Sequence, residues 1–212
     1  METLWSRPAG ERAGTPLLLM LHGYGSDESK MSALFKSMPA GFSCAALRGP
    51  HDIAGDRGWF LLDYFLNNDF AQVMQSAAAV LGWLDAAMAE QSFSSVCVLG
   101  YSQGMAMATT LMRLRPELFT AAVGLSGFVL QNELLATMDP LPRRIPFLWA
   151  RDPHDLVINP EATAFTQAWL ENNVELFHAR YEGLGHNIGA TELTDVSAFL
   201  TGWVPGSFTP SA

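Results

Sequence analysis

Five consecutive residues carry the first chemical signal: Gly100-Tyr101-Ser102-Gln103-Gly104. An apolar run leads into this serine and a helical pattern leads out of it. That context has the form of a sharp strand-to-helix turn that presents the hydroxyl, with small flanking residues relieving the clash between strand and helix. The bland alternative is an ordinary glycine-rich turn in an α/β sheet. A serine hydroxyl is a weak nucleophile at neutral pH. It needs a histidine base, and the base needs an orienting acid.

In a fold of this class the acid and then the histidine follow the serine in the chain. Beyond Ser102 lie His154, His178 and His186. His178 falls inside the alternating run 174–181 and reads as a half-exposed sheet residue. His154 abuts Asp155 in a loop and reads as a solvated turn residue. His186 closes Gly183-Leu184-Gly185-His186, after the last strand and before the last helix, where a base reaches the carboxyl edge of a sheet. For the acid the loop after strand 146–150 offers Asp152 and Asp155, one of which must be a capping or turn carboxylate. Asp155 is preferred, because Leu156-Val157-Ile158 can anchor that side of the loop in the core. The backbone N–H of Gln103, at the helix start, is one oxyanion donor, and that of Tyr24, in the first glycine loop, is the candidate for the second. His22 reads as a structural histidine bracing that loop.

Trp59, Phe60, Leu62, Tyr64, Phe65 and Leu66 form an aromatic-rich stretch between strands. About half of it is expected to be core. The remainder offers Trp59, Phe60 and Phe65 as walls of an acyl or alcohol groove, with Phe128 lining the same cleft. Met105 and Met107 read as helix packing. Other chemistries fail on spacing. Gly23-Tyr24-Gly25 meets Glu28 where a dinucleotide fingerprint needs glycine, neither Lys30 nor Lys36 sits in a P-loop, and no His-Glu-x-x-His run occurs. His51-Asp52 and His154-Asp155 are isolated pairs, so neither a metal nor another cofactor is expected.

The elements that must position these groups alternate along the chain. Apolar runs at 17–21, 43–47, 95–99, 121–125 and 146–150 and the alternating run 174–181 read as strands. Helical patterns follow from Phe70 (with Asp69 as a cap), over 105–114, from Pro160 to Leu170, and over about 191–203. Strands separated by helices predict a parallel sheet with right-handed crossovers and helices on both faces. That layout consumes nearly all of 212 residues in one α/β domain and leaves no sequence for a separate lid, with 205–212 a frayed Pro/Ser tail.

Composition agrees. Hydrophobic residues are 49% and charged residues 16%, enough for a large core. A formal charge of -9 disfavours nucleic acid and anionic membrane surfaces as partners. No run is long enough for stable membrane insertion and no targeting segment stands out, so the expectation is a cytoplasmic protein, a monomer or homodimer. Two cysteines, Cys44 and Cys97, are too few for a disulfide framework.

The set Leu21-His22-Gly23-Tyr24-Gly25-Ser26-Asp27-Glu28, Gly58-Trp59-Phe60, Gly100 to Gly104, Leu125-Ser126-Gly127, Asp155-Leu156-Val157 and Gly185-His186-Asn187-Ile188 resembles the phospholipase/carboxylesterase family. These are small α/β-hydrolases that include the acyl-protein thioesterases. The resemblance spans roughly residues 17–203, in the family order. It implies an α/β-hydrolase fold, a Ser102–Asp155–His186 triad, oxyanion N–H groups from Tyr24 and Gln103, and Trp59 beside the active site. Two positions depart from the pattern: the loop Ala150-Arg151-Asp152-Pro153-His154 lacks the glycine usual ahead of the acid, and Asn159 stands where proline is common. The expected activity is a serine hydrolase cleaving small-molecule carboxylic esters of small to medium acyl length. Acyl-thioesterase or lysophospholipase action uses the same triad, and a non-catalytic ligand-binding protein on the same scaffold is the rival from another class.

Overall fold

The computed structural model describes residues 1–62 and 70–203. A seven-stranded sheet forms its middle. The strands are β1 (Thr3–Trp5), β2 (Pro16–Leu21), β3 (Ser43–Leu47), β6 (Ser95–Tyr101), β7 (Ala121–Leu125), β8 (Pro146–Arg151) and β9 (Glu175–Arg180). Their order is β1-β3-β2-β6-β7-β8-β9, parallel throughout except for β1 against β3. A separate two-stranded hairpin pairs β4 (His51–Ile53) with β5 (Asp56–Gly58).

Every side chain of β2 is buried, which is what a continuous apolar run dictates when both sheet faces are covered. Leu17, Leu19 and Leu21 face one core; Leu18 and Met20 face the other. The first core is closed by α2 (Ala71–Glu90), α3 (Gln103–Leu114) and α5 (Pro160–Asn173), the second by α1 (Glu28–Ser32) and α6 (Ala190–Trp203). A short α4 (Glu133–Ala136) precedes β8. In α2 the buried positions Val73, Ala77, Val80, Leu84 and Ala87 keep one helical stripe, while Met88 stands outside it. Both cysteines are buried and free, and burial pushes the Cys97 thiol up to about 12.

Three elements differ from the sequence reading. β1 is a strand despite few apolar residues, because an antiparallel edge strand needs one packed face. Trp5 supplies it, against Trp83 with ring centroids 5.6 Å apart. The β4–β5 hairpin turns at Ala54 and Gly55, both at positive φ, without the Asn-Gly signal usual for such turns. α2 is capped at Phe70 with no side-chain bond; the cap predicted at Asp69 lies outside the described residues.

The strand order fixes where a site can form. The chain steps from β2 to β3 on one side, then returns to place β6 on the other side of β2. The carboxyl ends of β2 and β6, paired at Leu21 and Gly100, therefore flank the point where the order reverses, and their loops diverge into a crevice.

Candidate active site

Ser102 follows β6 directly and caps α3 with φ 53° and ψ −118°, a conformation costly for any residue with a side chain. The surrounding packing holds it there. Its N–H donates to the Leu125 carbonyl at 2.9 Å. A Cβ on Gly100 would lie 2.2 Å from the Gly104 carbonyl oxygen, and one on Gly104 would lie 2.1 Å from that of Leu21. Strand, turn and helix can approach this closely only with glycine at both positions.

The Ser102 hydroxyl lies 2.9 Å from His186 Nε2, and His186 Nδ1 lies 2.7 Å from Asp155 Oδ2. The carboxylate requires the proton on Nδ1, so Nε2 is left as acceptor for the serine O–H. The Asp155 carboxylate is fully buried and its other oxygen accepts the Val157 N–H at 2.8 Å. Asp152 does not reach the imidazole. Its Oδ2 accepts the Gly185 N–H at 2.6 Å and its Oδ1 the His154 N–H at 2.8 Å. These backbone donors, Gly185 first, hold the Asp152 carboxyl below its ordinary value. The Tyr101 O–H donates to the His186 carbonyl at 2.7 Å.

Gln103 opens α3, so its N–H belongs to the first turn, where backbone donors have no partner within the helix. Its side chain points the other way and is buried. Oε1 accepts the Trp59 N–H at 2.8 Å and Nε2 donates to the Phe60 carbonyl at 2.7 Å. Sequence reasoning used only the backbone of Gln103 and missed this clamp, for which a lone glutamine gives no signal. Gly23 packs so close that an added Cβ would sit 3.3 Å from the Ser102 Cβ, which brings the Tyr24 segment beside the serine. His22 is fully buried; its Nε2 accepts the Gly49 N–H at 2.9 Å and its Nδ1–H donates to the Gly23 carbonyl at 2.7 Å. An accepting Nε2 carries no proton, so the ring is a neutral brace, and burial lowers its pKa in the same sense. His154 is exposed, and His178 stacks on Trp149 at 4.5 Å in the sheet.

A cavity of about 390 Å³ opens over Ser102 and His186. Its apolar walls are Tyr24, Leu62, Phe128, Val157, Ile158 and Ala162, and among the described residues no Asp, Glu, Lys or Arg lines it. Phe128 sits where the sequence reading put it. Trp59 and Phe60 do not: both are fully buried in the core, and the Trp59 indole N–H donates to the His22 carbonyl at 2.8 Å. They support the loops from beneath because Gln103 draws their backbone inward. Phe65 lies outside the described residues. Nor does the apolar trio after Asp155 anchor its loop as expected. Leu156 and Val157 are 95% and 63% exposed and anchor nothing; only Ile158 packs on the core. The loop is instead held by hydrogen bonds to its aspartates. Among the described residues no cluster of His, Cys, Asp and Glu could hold a metal ion, and no helix is long and apolar enough to cross a membrane.

This sheet with a serine elbow at its reversal point is an α/β-hydrolase architecture. Residues 8–204 match the family model described as Phospholipase/Carboxylesterase, and the chain belongs to that family. It is similar to carboxylesterase SOBER1 of Arabidopsis thaliana, 26% identical over 142 residues, covering 66% of this chain and 62% of that protein. It is also similar to acyl-protein thioesterase 1 of Yarrowia lipolytica, 24% identical over 151 residues, covering 67% and 66%. The matches thus span less than two thirds of the length of these curated relatives. Among solved structures, that of esterase PE8 superposes with a TM-score of 0.78 at 25% identity, covering 95% of this chain and 97% of that one.

Proposed function

We propose that this protein is a serine hydrolase that cleaves neutral carboxylic esters of small to medium acyl length through an acyl-enzyme. The hydrogen-bonded series Ser102, His186, Asp155 at the mouth of an uncharged cleft is the observation that carries this reading. His186 Nε2 takes the Ser102 proton as Oγ attacks the ester carbonyl, and Asp155 stabilises the imidazolium that forms. The carbonyl oxygen, now anionic, takes hydrogen bonds from the Tyr24 and Gln103 N–H groups. Collapse expels the alcohol, which leaves with the proton from His186. Water, deprotonated by the same imidazole, then attacks the acyl-serine; Ser102 regains the proton and the acid departs.

The cleft supports the substrate class. Apolar walls favour an acyl chain, and the absence of lining cations among the described residues disfavours anionic head groups such as those of lysophospholipids. A thioester reacts by the same steps, with a thiol leaving in place of the alcohol, and the similarity to an acyl-protein thioesterase keeps it as the second reading. A series of nitrophenyl esters of increasing chain length, run beside the matching acyl thioesters, tests the proposal. Turnover should peak on short to medium oxygen esters. Faster turnover of the thioesters would favour the second reading, and no turnover of either would favour a binding protein.

A further inference from the structure

A turn aspartate commonly uses one oxygen on a neighbouring N–H and leaves the other in water. Asp152 uses both, and its side chain is only 2% exposed. One oxygen takes the N–H of His154, two residues on, which fixes the carboxylate to its own loop. The other takes the N–H of Gly185, across the site and immediately before His186. The backbone of Asp152 is pinned as well. The buried Arg151 donates from Nε to the Asp152 carbonyl at 3.0 Å and from Nη1 to Thr163 on α5 at 2.9 Å.

The segment it holds has little else to fix its backbone. Gly183 and Gly185 both lie at positive φ, and an added Cβ at Gly183 would meet no atom within 4 Å. Among the described residues, Asp152 takes the Gly185 N–H and Tyr101 donates to the His186 carbonyl, while Asp155 and Ser102 meet the ring. Asp152 fixes the Leu184–Gly185 peptide, one residue before His186, and Tyr101 fixes the peptide that follows the His186 Cα. The Asp155 bond orients the ring on a Cα that the backbone contacts have placed.

We infer that Asp152 is a positioning residue for His186: its doubly accepting carboxylate ties the Leu184–Gly185 peptide to the acid loop and so helps set where Nε2 falls relative to the Ser102 hydroxyl. The inference rests on the reading of Ser102 and His186 as nucleophile and base. The chemistry of the site demands a carboxylate, since an amide at position 152 can accept only one of the two N–H groups and turns its own N–H₂ against the other.

Asp152→Asn tests this directly. A displaced imidazole should lower kcat on the order of 10²-fold, with KM moved by no more than about twofold, since the cleft walls are untouched. The low-field proton resonance of the His186 Nδ1–H should broaden or shift, a readout that a merely structural aspartate would not move. His154→Ala is the control. Its exposed ring, 3.6 Å from Asp152, should matter little, because the bond it sits beside comes from the backbone N–H. Near-normal kcat with an unchanged resonance in Asp152→Asn would overturn the proposal, and so would an equal loss of kcat in His154→Ala. Should the variant not fold, hydrogen exchange on the unmodified protein decides: the Gly185 amide should be as protected as the amides of β9 that bond to β8, and exchange at the rate of an open loop overturns it. Failure of the hydrolase reading is separable, because a fluorophosphonate would then leave Ser102 unlabelled while the resonance and exchange still report on the loop.

Discussion

The Tyr101 hydroxyl donates to the His186 backbone carbonyl at 2.7 Å, and so ties the strand that ends at the serine to the loop that carries the imidazole. The two rings also lie close, with centroids 5.4 Å apart. Burial first, then the charges of Asp155 and Glu192, raise the pKa of the phenol and keep it a donor. Tyr101→Phe keeps the ring and deletes the bond. Its net contribution is about 1 kcal/mol, so the thermal midpoint should fall by only a few degrees. kcat should fall several-fold with KM steady; equal loss in both would mean that the bond shapes the cleft and not the base.

Asp155→Asn should lower turnover on the order of 10⁴-fold, the loss known for the equivalent change in a serine protease. The amide can still accept the Val157 N–H, so the thermal midpoint should move little. Its N–H₂ then faces His186 and forces the proton onto Nε2, where it blocks the serine. Steady-state kinetics and a melting curve check both halves.

Trp59→Ala should destabilise the fold by about 3–5 kcal/mol, the cost of emptying a large buried site. Any activity left should drop equally at every acyl length. Val157→Ser, on the exposed cleft wall, should do the opposite: an unchanged melting curve and a loss that grows with chain length. A chain-length shift in the Trp59 variant would contradict its placement beneath the loops.

Glu192 opens α6 in full burial, where it accepts the Gly189 N–H at 3.0 Å. Desolvation raises its pKa from 4.5 to about 7, the Gly189 bond opposing. A raised carboxyl pKa means that the folded chain holds a proton which the unfolded chain has lost. Its contribution to stability is present below pH 4.5 and lost as pH rises through about 7. Asp152 works in the opposite sense at lower pH: its depressed pKa contributes above the ordinary carboxylate value and is lost on further acidification. Glu192→Gln should therefore raise the thermal midpoint at pH 8 more than at pH 5. Melting curves across that range check it, and equal shifts at both pH values would mean that Glu192 does not titrate there.

Much of this architecture was legible in the sequence because fully buried parallel strands read as near-continuous apolar runs; 121–125 matches β7 to the residue, and so does the weaker run 43–47, which opens on Ser43, for β3. The elbow was legible because Gly100 and Gly104 leave room that no other residue can. Short antiparallel elements were not, since β1 and the β4–β5 hairpin are too short to show a period. Trp59 and Phe60 misled for a different reason: composition marks an aromatic stretch as a groove or a core with equal force, and a buried glutamine 44 residues away decides between them. Asp152 and Asp155 differ only in which partner each oxygen meets, a matter of ångströms that spacing cannot express.

In the proposed reaction Ser102 is the nucleophile, activated by His186. Treatment of the intact protein with a fluorophosphonate, followed by mass-spectrometric mapping of the adduct, checks that assignment. The unmodified chain should gain a single adduct on the Ser102 peptide and lose esterase activity in parallel, while Ser102→Ala and His186→Ala should resist labelling. An adduct elsewhere, or esterase turnover retained in Ser102→Ala, would contradict it.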